Sequence, residues 1–154
     1  MYQPDSVDLQ LLKQLQKNAR ITIKELANIT NLSNTPVHER IKKLEKNGYI
    51  TKHVALLDRS LLGKKLIVFC NIKLREHTKE IGENFVKDIT SLPQVTECYN
   101  ISGDFDFLLK VMVRDMDDYQ DFVLNHLGSV PNVGSAHSTF VMAEIKNTTE
   151  IPIQ

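Results

Sequence analysis

"LSNTPVHERIKKLEKNGYI", residues 32–50, is the stretch that decides how the front of this chain folds. Val37, Ile41 and Leu44 recur at i, i+4 and i+7, the narrow apolar stripe of a helix that buries one face. Ser33 suits the N-cap, so Pro36 falls in the first turn, where its missing N–H removes no intrahelical bond. At about 100° per residue, Thr35, His38, Lys42 and Lys46 cluster opposite the stripe, with Asn34 at the helix start beside them. Arg40 flanks the stripe and is read as the partner of a carboxylate such as Asp8 or Glu45. Gly48 ends the helix.

Working outward, "TIKELANIT" (residues 22–30) opens with Thr22 and Glu25 in the S/T-x-x-E pattern of a capping box. Its Ile23, Leu26 and Ala27 face inward. Asn31 stands where the helix must stop, and asparagine tolerates the left-handed conformation of a C-terminal cap. Before it, Val7, Leu11, Leu12 and Leu15 share one face of a first helix, with Asp5 or Ser6 as N-cap. Two short helices joined by a tight turn, the second with a basic outer face, make a helix-turn-helix. In that motif the second helix enters the DNA major groove and its early residues reach base edges. Asn34, Thr35 and His38 then lie at the bases and Lys42, Lys43 and Lys46 at the phosphates, with the capping Ser33 counted among the DNA-binding residues. A lysine-rich helix face by itself is more often only solvated; here the capping box, the short turn and the small Ala27 at the crossing accompany it.

Charge is split along the chain. The formal net charge is zero, but residues 1–60 hold ten Lys/Arg against six Asp/Glu, and the remainder nine against thirteen. A basic module joined to an acidic one fits 154 residues as two small domains. No apolar run approaches the ~20 residues of a membrane helix, and "MYQPDSVD" lacks the features of a secretory signal. A cytoplasmic protein is expected. Cys70 and Cys98 sit in strand-like runs with no ligand spacing, as inert thiols of a reducing compartment would. The Asn147-Thr148-Thr149 sequon carries no weight there.

After Gly48, "YITKHVALLD" alternates apolar and polar residues as a strand does, with His53 as a surface imidazole. Leu57-Asp58-Arg59-Ser60 and Gly63 read as the hinge region. Next come the strand "LIVFCNIKL", a helix with Ile81, Phe85 and Ile89 stopped by Pro93, and the strands "VTECYNIS" and "FDFLLKVMV". Asp115 caps a helix in which Met116, Tyr119, Val123 and Leu127 face the core, and "VGSAHSTFVMAEIK" is the last strand. This βαββαβ order is ferredoxin-like: an antiparallel sheet with both helices on one face. The fold class is α+β, with a helix-turn-helix domain at 1–50, a linker strand and hinge at 51–65, and the ferredoxin-like domain at 66–154. The open sheet face needs a cover, and a second subunit is the simplest one.

Ser102-Gly103-Asp104-Phe105-Asp106 is the candidate small-molecule site. Backbone amides in a Gly-Asp turn bind a carboxylate, and the neighbouring side-chain carboxylates bind an ammonium. The alternative is a hairpin that uses Gly and Asp for their backbone tolerance alone. An enzyme would need a convergent nucleophile, base or metal set. The five histidines show no metal spacing, and the acidic Asp115–Asp121 run is a helix N-terminus favoured by the dipole. No catalytic residue and no metal ligand is assigned.

With "DLQLLKQLQKNARITIKELA", the opening stretch, "ALLDRSLLG", "SGDFDF" and "STFVMAEIKNTTEIP" in this order, the chain resembles the Lrp/AsnC family of prokaryotic transcription factors from Val7 to Pro152. The resemblance implies a winged-type helix-turn-helix and a ferredoxin-like module that senses a small amino acid, and no other cofactor. It implies double-stranded DNA as partner and assembly into dimers and octamers. It also places the effector in the loop of Gly103, Asp104, Phe105 and Asp106, at a junction between dimers, with Ser138 and Thr139 near it; Asn100 and His137 are weaker candidates. Asn31 departs from the family's usual turn glycine, and Phe105 lacks a hydroxyl that some relatives carry. The alternative function is an effector-independent protein that organises DNA by oligomerising.

Overall fold

The computed structural model describes residues 2–153. The chain divides into two units: the described residues up to Leu56 together with those from Lys146 on, and Leu57–Ile145.

The first unit is built on α1 (Ser6–Lys17), α2 (Ile23–Thr30) and α3 (Asn34–Lys46). Asp5 caps α1 in a reciprocal box: its carboxylate accepts from the Asp8 N–H at 2.9 Å, and Asp8 accepts from the Asp5 N–H at 3.2 Å. The Thr22/Glu25 box forms on α2, and Asn31 takes the left-handed conformation at φ 53°. Ser33 occupies the N-cap of α3, but its hydroxyl makes no capping bond. Leu11, Leu26, Ala27, Val37 and Ile41 form one buried cluster, and Leu44 is also buried. Gly48 follows α3 at φ 78°, in the left-handed region that glycine enters without a Cβ penalty.

The segment from Lys146 joins this unit through Gln16. Its amide donates to the Ile151 carbonyl at 3.0 Å and accepts from the Ile151 N–H at 2.9 Å. Both polar groups of one backbone residue are thus paired by a single side chain. The linker also departs from its expected form. The alternating segment 51–57 enters no ladder: its backbone groups make no backbone hydrogen bond among the described residues. Val54, Leu56, Leu57, Leu61 and Leu62 are exposed along it.

The second unit contains β1 (Leu66–Leu74), α4 (Lys79–Thr90), β2 (Val95–Asn100), β3 (Phe107–Val113), α5 (Met116–Asp121) and β4 (Val133–Phe140). The strands order as β2-β3-β1-β4 with antiparallel neighbours, the ferredoxin-like topology. Alternation sends Val68, Cys70, Ile72 and Leu74 of β1, and Phe107, Leu109, Val111 and Val113 of β3, into the core with Phe85 and Ile89 of α4. The opposite face carries Tyr99, Leu108, Lys110, Met112 and Phe69, where Lys110 pairs with Glu97 at 2.8 Å.

Two expectations change here. The helix capped by Asp115 is α-helical only to Asp121, then passes through a π turn, Phe122–His126, and a 3-10 turn, Leu127–Ser129. Phe122 is fully buried one α-helical turn (i+3) after the buried Tyr119, the π turn then brings Leu127 inside five residues later, and Met116, the first residue of α5, points outward at 55 % exposure. The last strand stops at Phe140; the Val141 N–H still donates to the Ile67 carbonyl at 3.0 Å, and residues 142–146 leave the sheet.

Candidate functional site

The outer face of α3 is a solvent-exposed polar surface held from behind. Asn34, Thr35, His38, Lys42, Lys43 and Lys46 are all exposed, as is Ser33 just ahead of the helix. Arg40 does not join them. Its guanidinium donates to Asp8 at 2.8 Å and to Asp5 at 2.7 Å, not to Glu45, and so ties α3 to the start of α1. Bonds from the Asp8 amide and from Arg40 hold the Asp5 carboxyl below its ordinary range. Asp8 is 1 % exposed and also accepts from the Tyr2 hydroxyl, which pushes the Tyr2 phenol up to about 12.

Tyr2 reaches the far margin of α3 as well. Its ring packs edge-on to Tyr49 at 5.9 Å, and Lys43 Nζ lies 4.2 Å from its centroid. Lys43 is therefore guided to one side of the face, whereas Lys42 has only a long 3.9 Å contact with Glu39. His53 is paired with Glu45 at 3.1 Å. Asp8 is one of the two carboxylates offered by the sequence as partner of Arg40, whereas nothing in the helical periodicity marks Tyr2.

In the second unit the loop between β2 and β3 splits its two aspartates. Asp106 is committed to the fold: its carboxylate accepts from the Leu74 N–H at 2.7 Å and contacts His77 Nε2 at 3.0 Å, while its own N–H donates to the Ile72 carbonyl. The Leu74 amide first, and His77 after it, hold this carboxyl below the usual range. Asp104 is exposed, with no side-chain partner among the described residues. Gly103 adopts φ 117°, and the N–H groups of Gly103, Asp104 and Phe105 enter no hydrogen bond among the described residues. The open part of the loop therefore offers three amides and one carboxylate, not the pair of carboxylates expected from the sequence.

The two β4 candidates also separate. Ser138 pairs with Cys70 and Thr139 with Phe69, so they point to opposite faces of the sheet. Ser138 is turned toward the helices. Its hydroxyl bonds the Tyr119 hydroxyl at 2.5 Å, and that hydroxyl in turn lies 3.0 Å from Cys70 Sγ. Burial raises both the Tyr119 phenol and the Cys70 thiol. Thr139 and His137 share the open face, and Phe105 packs edge-on to His137 at 6.1 Å. Asn100 donates to the Asp106 carbonyl at 3.0 Å, bracing the loop, and borders a shallow groove with Lys79, Glu83, Val86 and Phe107.

Comparison with known proteins agrees with both halves. Residues 67–151 match the Lrp/AsnC ligand binding domain, and residues 4–51 match a winged helix-turn-helix DNA-binding domain. The chain is 37% identical over 150 residues to the DNA-binding transcriptional activator DecR of Escherichia coli K12, covering 97% of this chain and 99% of DecR. It is 36% identical to the leucine-responsive regulatory protein of the same organism, covering 97% and 92%. Among solved structures, a Neisseria meningitidis transcriptional regulator in complex with L-methionine superposes with a TM-score of 0.92 at 35% identity, covering 97% of each chain. Escherichia coli AsnC superposes with a TM-score of 0.90 at 28% identity, covering 98% of this chain and 100% of that one. From helix caps to sheet order, this chain belongs to the Lrp/AsnC family of DNA-binding transcriptional regulators.

Proposed function

We propose that the chain binds operator DNA through α3 and that a small amino acid, held at the open part of the 102–106 loop, alters that binding or the assembly of the protein. The observation that carries the DNA half is the clamped helix. Arg40 is withdrawn into the Asp5/Asp8 pocket, while Ser33, Asn34, Thr35, His38, Lys42 and Lys46 stand free on one face. Early polar residues at base edges and later lysines at phosphates follow from the geometry of a recognition helix.

The effector half rests on the loop amides of Gly103, Asp104 and Phe105, which suit a carboxylate, with Asp104 placed for an ammonium. Thr139 and His137 are the β4 residues on the face that Phe105 adjoins; Ser138 and the Asp106 carboxylate hold the fold instead. A relative at 35% identity forms a complex with L-methionine, so methionine heads the candidates. The open sheet face and the exposed apolar linker support self-association into dimers and higher oligomers. We place the protein in the cytoplasm with its DNA. Titration calorimetry against the proteinogenic amino acids, with mass measurement of the assembly beside each, tests the effector half. Saturable binding abolished by Asp104→Ala is expected. Binding of none of them would leave an effector-independent DNA-organising protein as the better reading.

A further inference from the structure

Glu39 is the one acidic residue on the outer face of α3 that nothing in the fold explains. It lies two residues after Val37 and two before Ile41, which puts it about 200° around the helix from each, directly opposite the buried stripe. Thr35 precedes it and Lys43 follows it at the i±4 spacing of one helix face. Its side chain is 66 % exposed, and its nearest cation, Lys42, is 60 % exposed at 3.9 Å. So long and open a pair contributes little and fixes neither group.

If α3 lies in the major groove, the position opposite the stripe faces the groove floor. A carboxylate there sits between two rows of phosphates and opposes binding to any duplex unless it accepts a hydrogen bond. The major groove offers only two donors, cytosine N4–H and adenine N6–H. In adenine the donor stands beside the N7 acceptor, which repels the second carboxylate oxygen. Adenine N6 is flanked by acceptors on both sides, N7 and the thymine O4, whereas cytosine N4 has the guanine O6 on one side and only a C5–H on the other.

We infer that Glu39 is a specificity-determining residue that accepts a hydrogen bond from the N4 amino group of a cytosine in each half-site. The inference rests on α3 being the DNA-reading helix. Its test is selection from a randomised duplex pool with the full-length wild type, Glu39→Gln and Glu39→Ala, followed by affinities on the selected duplex and its single-base variants. The wild type is expected to select a C·G pair at one position of each half-site. Replacing that pair should weaken wild-type binding about 10- to 100-fold and leave Glu39→Ala indifferent. Glu39→Gln should select A·T there, because a glutamine amide matches adenine N6 and N7.

A uniform rise in affinity of both variants for every duplex, with an unchanged preferred sequence, would overturn the inference and leave Glu39 as a repulsive charge. A pool that yields no preferred sequence would overturn it too. Failure of the underlying reading has its own signature: Lys42→Ala with Lys46→Ala would then leave affinity and salt dependence unchanged.

Discussion

Replacing Asp8 by Asn keeps the shape of the side chain and removes the charge against which Arg40 is held. Asp8 is 1 % exposed and takes bonds from Arg40 at 2.8 Å, from the Asp5 N–H at 3.2 Å and from the Tyr2 hydroxyl. Breaking a fully buried ion pair costs about 3–5 kcal/mol, and a hydrogen bond to a charged group contributes about 1.5–3 kcal/mol. Arg40 is 31 % exposed and keeps Asp5 at 2.7 Å, so no charge is left stranded. The lower end applies, about 2 kcal/mol. For a chain of this length that lowers Tm by about 4–8 °C, read by circular dichroism on heating. A cycle with Arg40→Met isolates the pair, with a coupling of about 1–2 kcal/mol. DNA affinity should fall as α3 loosens, with its salt dependence intact because no phosphate contact is lost. An Asp8→Asn protein melting within about 1 °C of wild type, or strict additivity in the cycle, would refute the clamp.

Lys42→Ala with Lys46→Ala should weaken binding to all duplexes alike and flatten the slope of log K against log salt by about 2 per protomer, measured by fluorescence anisotropy. Asp106 has a lowered carboxyl, so its contribution is complete above the ordinary value of 3.8 and is lost as pH falls through the lower folded one. Exchange protection of the Leu74 amide should persist at pH 5, disappear only below 3.8, and be weak at every pH in Asp106→Asn. Phe122→Ala should destabilise by about 3–5 kcal/mol, whereas Met116→Ala should stay within about 0.5 kcal/mol, both by urea denaturation. Equal effects would mean that Phe122 is not the core residue of this helix.

Local rules made the first unit legible. Capping boxes at Thr22 and a left-handed Asn31 depend on neighbours within a few residues, and the i, i+4, i+7 stripe on α3 depends on one helix alone. Arg40 was readable as a structural residue because it flanks that stripe, though its choice of Asp5 and Asp8 over Glu45 is a tertiary matter. What failed was what needs a second segment. The linker has the alternation of a strand, but pairing requires a backbone beside it. Phe122 was hidden because Phe122 and Val123 both lie one turn beyond Tyr119, at i+3 and i+4, and spacing alone does not say which of the two is fully buried. In the loop, sequence alone made Asp104 and Asp106 equivalent; only the approach of Leu74 and His77 distinguishes them. Ser138 and Thr139, adjacent in the chain, could never share one face of a strand, and the sheet register decided which of them turned outward.

The bond pair between Gln16 and Ile151 has a consequence for the order in which the protein is made. The two residues are 135 positions apart, and translation adds about 5–20 residues per second. Once α1 is synthesised, roughly 7–27 s pass before the segment that pairs with Gln16 exists. The three helices must hold together through that interval on their own caps, the Asp5/Asp8/Arg40 clamp and the Leu11–Leu26–Val37 cluster. The brace at Ile151 is then the last contact of the first unit to form, after the whole of the sheet has been made.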